Sequence, residues 1–195
     1  MFRKTARTGA LAAASCLAAV LPAGCSTAEQ PAGAPVIANA LKSDPLRSTG
    51  GVEQCLTAGV GISLGSGHND MQGFHVPLRF TNTGSRPCTL QGAPGVSYVT
   101  GEGEEQIGLP AERGTGGPVV TLAPGETASA ALFLSSAPRK TPACEQVRAG
   151  GLRVYPPDNT EPVFVEHGAT TCAPPLDGPF LEVGPVRPGA GNTRT

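Results

Sequence analysis

The chain has 195 residues, of which 27 are Gly and 20 are Pro, with aromatics at 4%, charged residues at 15%, no Trp and a formal net charge of −1. That load of helix-weakening residues argues against a helical bundle. The lack of a Gly-X-Y period excludes a collagen-like chain, and the low charge excludes an acidic or basic disordered one, which leaves one all-β domain with loose ends.

Residues 1–24 read as an export signal. Arg3, Lys4 and Arg7 make a basic start and Leu11–Pro22 a short apolar run, shorter than the about 20 residues a membrane-spanning helix needs. Ala23-Gly24-Cys25 resembles the lipobox of bacterial lipoproteins, where the Cys thiol is diacylated and becomes the new N-terminus; Pro22 stands where Leu is usual, with Leu21 one place early. Two acyl chains supply the double hydrophobic signal that stable anchoring requires. On this reading the protein sits on the outer face of the cell membrane, held by Cys25. The alternative is ordinary cleavage, for example after Ser26-Thr27-Ala28, and a freely secreted protein. Losing Arg3, Lys4 and Arg7 moves the net charge from −1 to −4. A mildly acidic body has no electrostatic footprint for nucleic acid, and two tyrosines (Tyr98 and Tyr155) give few rings on which bases could stack.

Residues 25–51 carry Pro and Gly throughout and form a flexible tether, in which only Val36–Lys42 suggests a short helix. The domain occupies residues 52–187, and residues 188–195 are expected to be a disordered tail. Inside the domain the hydrophobic period is two. Leu56, Ala58, Val60, Ile62 and Leu64 alternate with Thr57, Gly59, Gly61 and Ser63; Phe74, Val76, Leu78 and Phe80 alternate with His75, Pro77, Arg79 and Thr81. Pro77 cannot donate to a ladder, so its strand is expected to lie at an edge or to bulge there. Further strands are expected at Val96–Thr100, Gln106–Leu109, Val119–Leu122, Thr127–Ser135, Leu152–Tyr155, Pro162–His167 and Phe180–Val183, with a helical turn only at Ala143–Gly150. Turn residues separate them at Asn82–Ser85, Gly101–Glu104, Ala123–Glu126 and Pro156–Asn159. This pattern points to an immunoglobulin-like antiparallel β-sandwich.

Cys16 leaves with the signal and Cys25 is acylated or removed, so Cys55, Cys88, Cys144 and Cys172 remain. An even number in an exported chain reads as two disulfides, and no CxxC pair offers zinc-ligand spacing. If the first two strands form a hairpin, Cys55 approaches Cys88. The strands at 152–155 and 162–167 likewise bring Cys144 toward Cys172. The expected pairs are therefore Cys55–Cys88 and Cys144–Cys172.

Three constellations bear on chemistry. Gly61-Ile62-Ser63-Leu64-Gly65 matches the nucleophile-elbow formula, but that mechanism needs a strand-to-helix turn, and here Ser63 sits inside an alternating strand. His68, Asp70, Met71 and His75 fall in one loop, with His167 ending a late strand; imidazole and thioether together sketch a copper site. A polar loop between two strands has the same composition without any metal. Glu102, Glu104 and Glu105 lack the alternating spacing of a calcium loop and read as a solvated hairpin tip.

The segment LRFTNTGSRPCTLQGAPGVSYV, Leu78 to Val99, carries a wider likeness. Phe80 to Thr83, Cys88 to Leu90, Gly92 and Pro94 to Val96, with Cys55 before them, follow a signature in order. Leu122 to Gly125, Cys144 and Cys172 complete it. The whole resembles the domain of unknown function family 4232 of secreted proteins and lipoproteins of high-GC Gram-positive bacteria, with Ala93 where an aromatic is common. The resemblance implies an immunoglobulin-like sandwich at the cell surface and no activity. The reading is thus a non-catalytic, monomeric surface domain with no cofactor or metal, binding an unidentified protein or envelope component. The alternatives are a copper or other metal-binding extracytoplasmic protein and a secreted hydrolase. Cys25→Ser is expected to move the protein from the membrane fraction to the medium; unchanged fractionation would remove the lipid anchor.

Overall fold

The computed structural model describes residues 51–136, 144–174 and 178–193, all within one unit, Arg47–Thr195. The export signal, Cys25, the helix at 36–42 and the tether up to residue 50 lie outside the described residues. Thirteen strands follow in chain order: β1 (Val60–Leu64), β2 (His68–Asn69), β3 (Gly73–Asn82), β4 (Cys88–Leu90), β5 (Gly95–Val99), β6 (Gln106–Ile107) and β7 (Glu112–Arg113), then β8 (Val120–Leu122), β9 (Thr127–Ser135), β10 (Gln146–Tyr155), β11 (Val163–Cys172), β12 (Leu181–Val183) and β13 (Arg187–Pro188). No α-helix occurs among the described residues.

Alternation explains how these strands layer. One sheet runs β1-β3-β9-β12-β7, with β2 added to β3 and β13 to β9; a second runs β11-β10-β5-β6, and β4 pairs with β8. The even-numbered residues of β3 (Val76, Leu78, Phe80) and β9 (Ala128, Ala130, Leu132) are buried in one cluster with Val96, Tyr98, Leu152 and Val154 of the second sheet. Large residues face small ones within the first sheet, Phe80 opposite Ala128 and Leu78 opposite Ala130, which leaves room for the second layer to interdigitate. The fold is an all-β sandwich closed by two disulfides, Cys55–Cys88 and Cys144–Cys172, the pairs expected from strand order.

Turn chemistry follows residue type. In Ala123–Glu126 the Glu126 N–H donates to the Ala123 carbonyl and Gly125 takes φ 80°, the left-handed position that a turn with Pro at its second place asks of its third. Asn82 is buried; its amide donates to the Arg86 and Leu122 carbonyls, while its side-chain oxygen accepts from the Gly84 N–H.

Four expectations need correction. The first strand begins at Val60 rather than Leu56: Thr57–Gly59 is a single 3-10 turn and Leu56 is 70% exposed. Disulfide-bonded Cys55 and the hydrogen bond from the Thr57 N–H to the Asn159 side chain hold that segment out of the ladder. Of the edge and the bulge expected at Pro77 the edge fails, since β3 runs between β1 and β9, while the register against β3 shifts by one residue between Leu64↔Leu78 and His68↔His75. Its carbonyl accepts from the Gly65 N–H, so its imide nitrogen faces the same side, just where β1 has ended and β2 has not begun. The missing donor thus meets a break in the neighbouring strand. Third, Gln146–Gly150 is strand, not a helical turn, because Gln146–Ala149 pairs with Ala169–Cys172; Ala143 itself lies outside the described residues. Fourth, the tail from 188 is docked through 193. Arg187 and Pro188 pair with Ser129 and Ala128, and the Asn192 side-chain amide nitrogen, with its two hydrogens, lies 2.9 Å from Ser129 Oγ and 3.0 Å from the Pro188 carbonyl, with the Gly189 and Arg187 carbonyls slightly farther. Residues 194–195 lie outside the described residues.

Asn192→Ala is expected to lower stability by about 1 kcal/mol through these lost bonds, measured as a shifted urea midpoint. A loose tail would give no shift.

Candidate functional site

Side chains alternate across a strand, so the odd-numbered residues of β3 and β9 that do not enter the core share the outer face of the first sheet. Register aligns one row there. His68 of β2 is opposite His75 of β3, His75 is opposite Phe133 of β9, Phe133 opposite Glu182 of β12, and Glu182 opposite Glu112 of β7. The His68 and His75 rings stack with centroids 5.1 Å apart and planes 9° from parallel; His75 also meets the Phe133 ring at 4.6 Å. Phe133 is only 4% exposed although it points away from the sandwich core.

Asp70 closes this cluster. One carboxylate oxygen accepts the N–H groups of Gln72 and Gly73, forming the turn into β3, and the other lies 3.0 Å from His75 Nε2. Those backbone donors, with His75 beside them, hold the Asp70 carboxyl below its ordinary value. His75 Nδ1 and Ser135 Oγ are both buried without a hydrogen-bond partner, and Ser135 is opposite Gly73, one pair along the same face.

Three of the residues grouped by the sequence therefore meet: His68, Asp70 and His75. Met71 points into solvent, 90% exposed. His167 stacks on Phe74 at 6.1 Å, and Phe74 packs against the core, on the opposite face of β3 from His75. Burial lowers the pKa of His167. No three His, Cys, Asp or Glu side chains among the described residues stand where one metal ion reaches all of them. Ser63 is exposed within β1, opposite Arg79, with no strand-to-helix turn around it. Glu102, Glu104 and Glu105 sit exposed at a hairpin tip, where Glu104 accepts from Thr100 and from Arg153. Phe133 and Ser135 escaped sequence reasoning; an aromatic on the nominally polar face of Thr127–Ser135 was the available sign.

A second feature lies at the other end of β3. A cleft of about 350 Å³ runs between Gln54, Leu56, Asn82, Ser85 and Arg86, and another of about 270 Å³ lies between Leu56 and Asn159. Leu56 forms the exposed ridge between them. Asn159 fixes that ridge: its side-chain oxygen accepts from the Thr57 N–H and hydroxyl, and its amide donates to the Cys55 carbonyl.

The family model for a domain of unknown function (DUF4232) matches residues 55–187. The chain belongs to that family. The match begins at the first disulfide cysteine and takes in the outer-face cluster, Leu56 and Asn159. No curated protein and no solved structure matches the chain.

His167 generates a pH prediction. Its folded pKa lies below that of the unfolded chain, so the unfolded state binds the extra proton and stability falls as pH drops below about 6.5. Melting temperature is expected to decline from pH 7.5 to 5.5, and His167→Gln to shallow that slope. An identical slope in the variant would remove His167 as its source.

Proposed function

We propose that this member of the family is a non-catalytic, monomeric domain, lipid-anchored through Cys25 to the outer face of the cell membrane, which binds a protein or envelope component. Export rests on the basic and apolar start of the chain and on the even set of cysteines. The lipobox-like Ala23-Gly24-Cys25 supports the anchor. The strand order supports the immunoglobulin-like reading of the scaffold: β1, β3 and β9 adjoin in one sheet, and β11, β10 and β5 in the other, as in sandwiches that present loops at their ends.

The observation that carries the binding role is the Leu56 ridge. A leucine 70% exposed between two clefts leaves apolar surface in water, and the Asn159 bonds hold it there rigidly. Its own burial would favour a complementary surface by about 1.5–3 kcal/mol, and a rigid backbone lowers the entropy cost of docking. The nearby Arg86–Glu53 pair, 3.7 Å apart and largely exposed, contributes little to stability and serves as a polar rim.

A photo-crosslinking residue placed at position 56 in intact cells is expected to trap a discrete adduct. The same residue at position 71, at the far end of β3, serves as control. Adducts equal at both sites, or none at 56, would count against the ridge as the binding surface.

A further inference from the structure

The outer face of the second sheet carries an apolar pocket of its own. Val99 is 1% exposed yet stands outside the core cluster, on the opposite side of β5 from Tyr98. Arg153 of β10 and Phe164 of β11 are opposite each other on that same face. A Cβ at Gly151 would stand 2.5 Å from the Phe164 ring, so the ring lies against the sheet where only glycine leaves room. Val99, Arg153 and Phe164, with Pro162 and the hairpin-tip residues Glu102 and Gly103, line a cleft of about 230 Å³. It shares no residue with the two clefts beside Leu56.

We propose that this cleft binds a small organic carboxylate with an apolar, ring-sized side chain. Arg153 carries the assignment. It is half-buried, donates to the Glu104 carbonyl and forms no ion pair among the described residues. A guanidinium presents several donors in a rigid fork, so fixing one on the backbone orients the others for a carboxylate. Glu102 shares the cleft but is exposed, where water and salt screen its charge. The less solvated Arg153 acts through a lower effective dielectric and sets the sign of the ligand. Phe164, Val99 and Pro162 supply the apolar wall. A cavity of about 150 Å³ accepts benzene, so this cleft of about 230 Å³ admits a ring together with its carboxylate.

The test is titration of the full mature chain, labelled with nitrogen-15, with phenylacetate, followed through the backbone amide signals. Phenylacetamide, of the same shape without the charge, and phenethylamine, of opposite charge, are the comparison ligands. Phenylacetate is expected to shift the signals of Val99, Arg153 and Phe164 saturably, in the millimolar range of so small a ligand. Phenylacetamide is expected to bind about tenfold more weakly, as is phenylacetate to Arg153→Gln, for loss of one charge-assisted interaction. The melting temperature of Arg153→Gln checks its fold, and the comparison of ligands needs only the parent chain. No saturable shift at these residues, equal binding of phenylacetamide, a preference for phenethylamine, or undiminished binding by a folded Arg153→Gln overturns the site.

Discussion

The pairing of β3 with β9 is the constraint on which the rest depends. Nine consecutive residue pairs join Gly73–Thr81 to Thr127–Ser135. Because side chains alternate, this single register puts Val76, Leu78, Phe80, Ala128, Ala130 and Leu132 into the core. It also puts His75, Phe133 and Ser135 together on the outer face. A slip of one residue would exchange the two sets. The magnitudes say why the slip does not occur. Each large apolar side chain buried here is worth about 1.5–3 kcal/mol, and several would be lost at once. The exposed Arg86–Glu53 pair at 3.7 Å is worth at most about 1 kcal/mol.

A core without tryptophan is reinforced elsewhere. Each disulfide contributes about 2–4 kcal/mol by restricting the unfolded chain, and together they tie the region before β1 to β4 and the start of β10 to the end of β11. Three asparagines do comparable work at corners. Asn82, Asn159 and Asn192 each offer an amide donor to backbone carbonyls of another segment or turn. Loops otherwise strand such groups away from partners, and an unmade buried bond costs about 1–3 kcal/mol. Asn159 joins the β10–β11 turn to the segment entering β1, and Asn192 closes the final residues over Ser129.

The same framework separates two surface features. The chain enters the domain at the Leu56 end, next to the clefts and the first disulfide. The His68–Asp70–His75 cluster stands at the opposite end of β3, where β2 adds two residues to its edge. The break beside Pro77 lies between them, since the proline that ends the β1 ladder lets the chain swing out before β2 returns His68 to the sheet.

Much of this was legible along the chain because it is local. Period-two alternation located β3 and β9 nearly to the residue, turn residues placed the corners, and cysteine parity with hairpin order predicted both disulfides. The grouping of His68, Asp70 and His75 was visible too, since a hairpin loop keeps near neighbours near. The errors arose where a distant segment decided the outcome. Leu56 fits an alternating strand but is drawn off it by Asn159, about a hundred residues away. Residues 188–193 look like a free end but are bound by Ser129, and of the two readings of Pro77, edge or bulge, the edge fails because β1 and β2 cover that side of β3. His167 drew apart from the other histidines, because β11 belongs to the second sheet. Composition, period and cysteine parity alone thus determined a disulfide-closed all-β domain. Cross-sheet neighbours, the burial of Phe133 and the exposure of Leu56 were decided only in the folded chain, where pairing between remote strands selects which face each side chain meets.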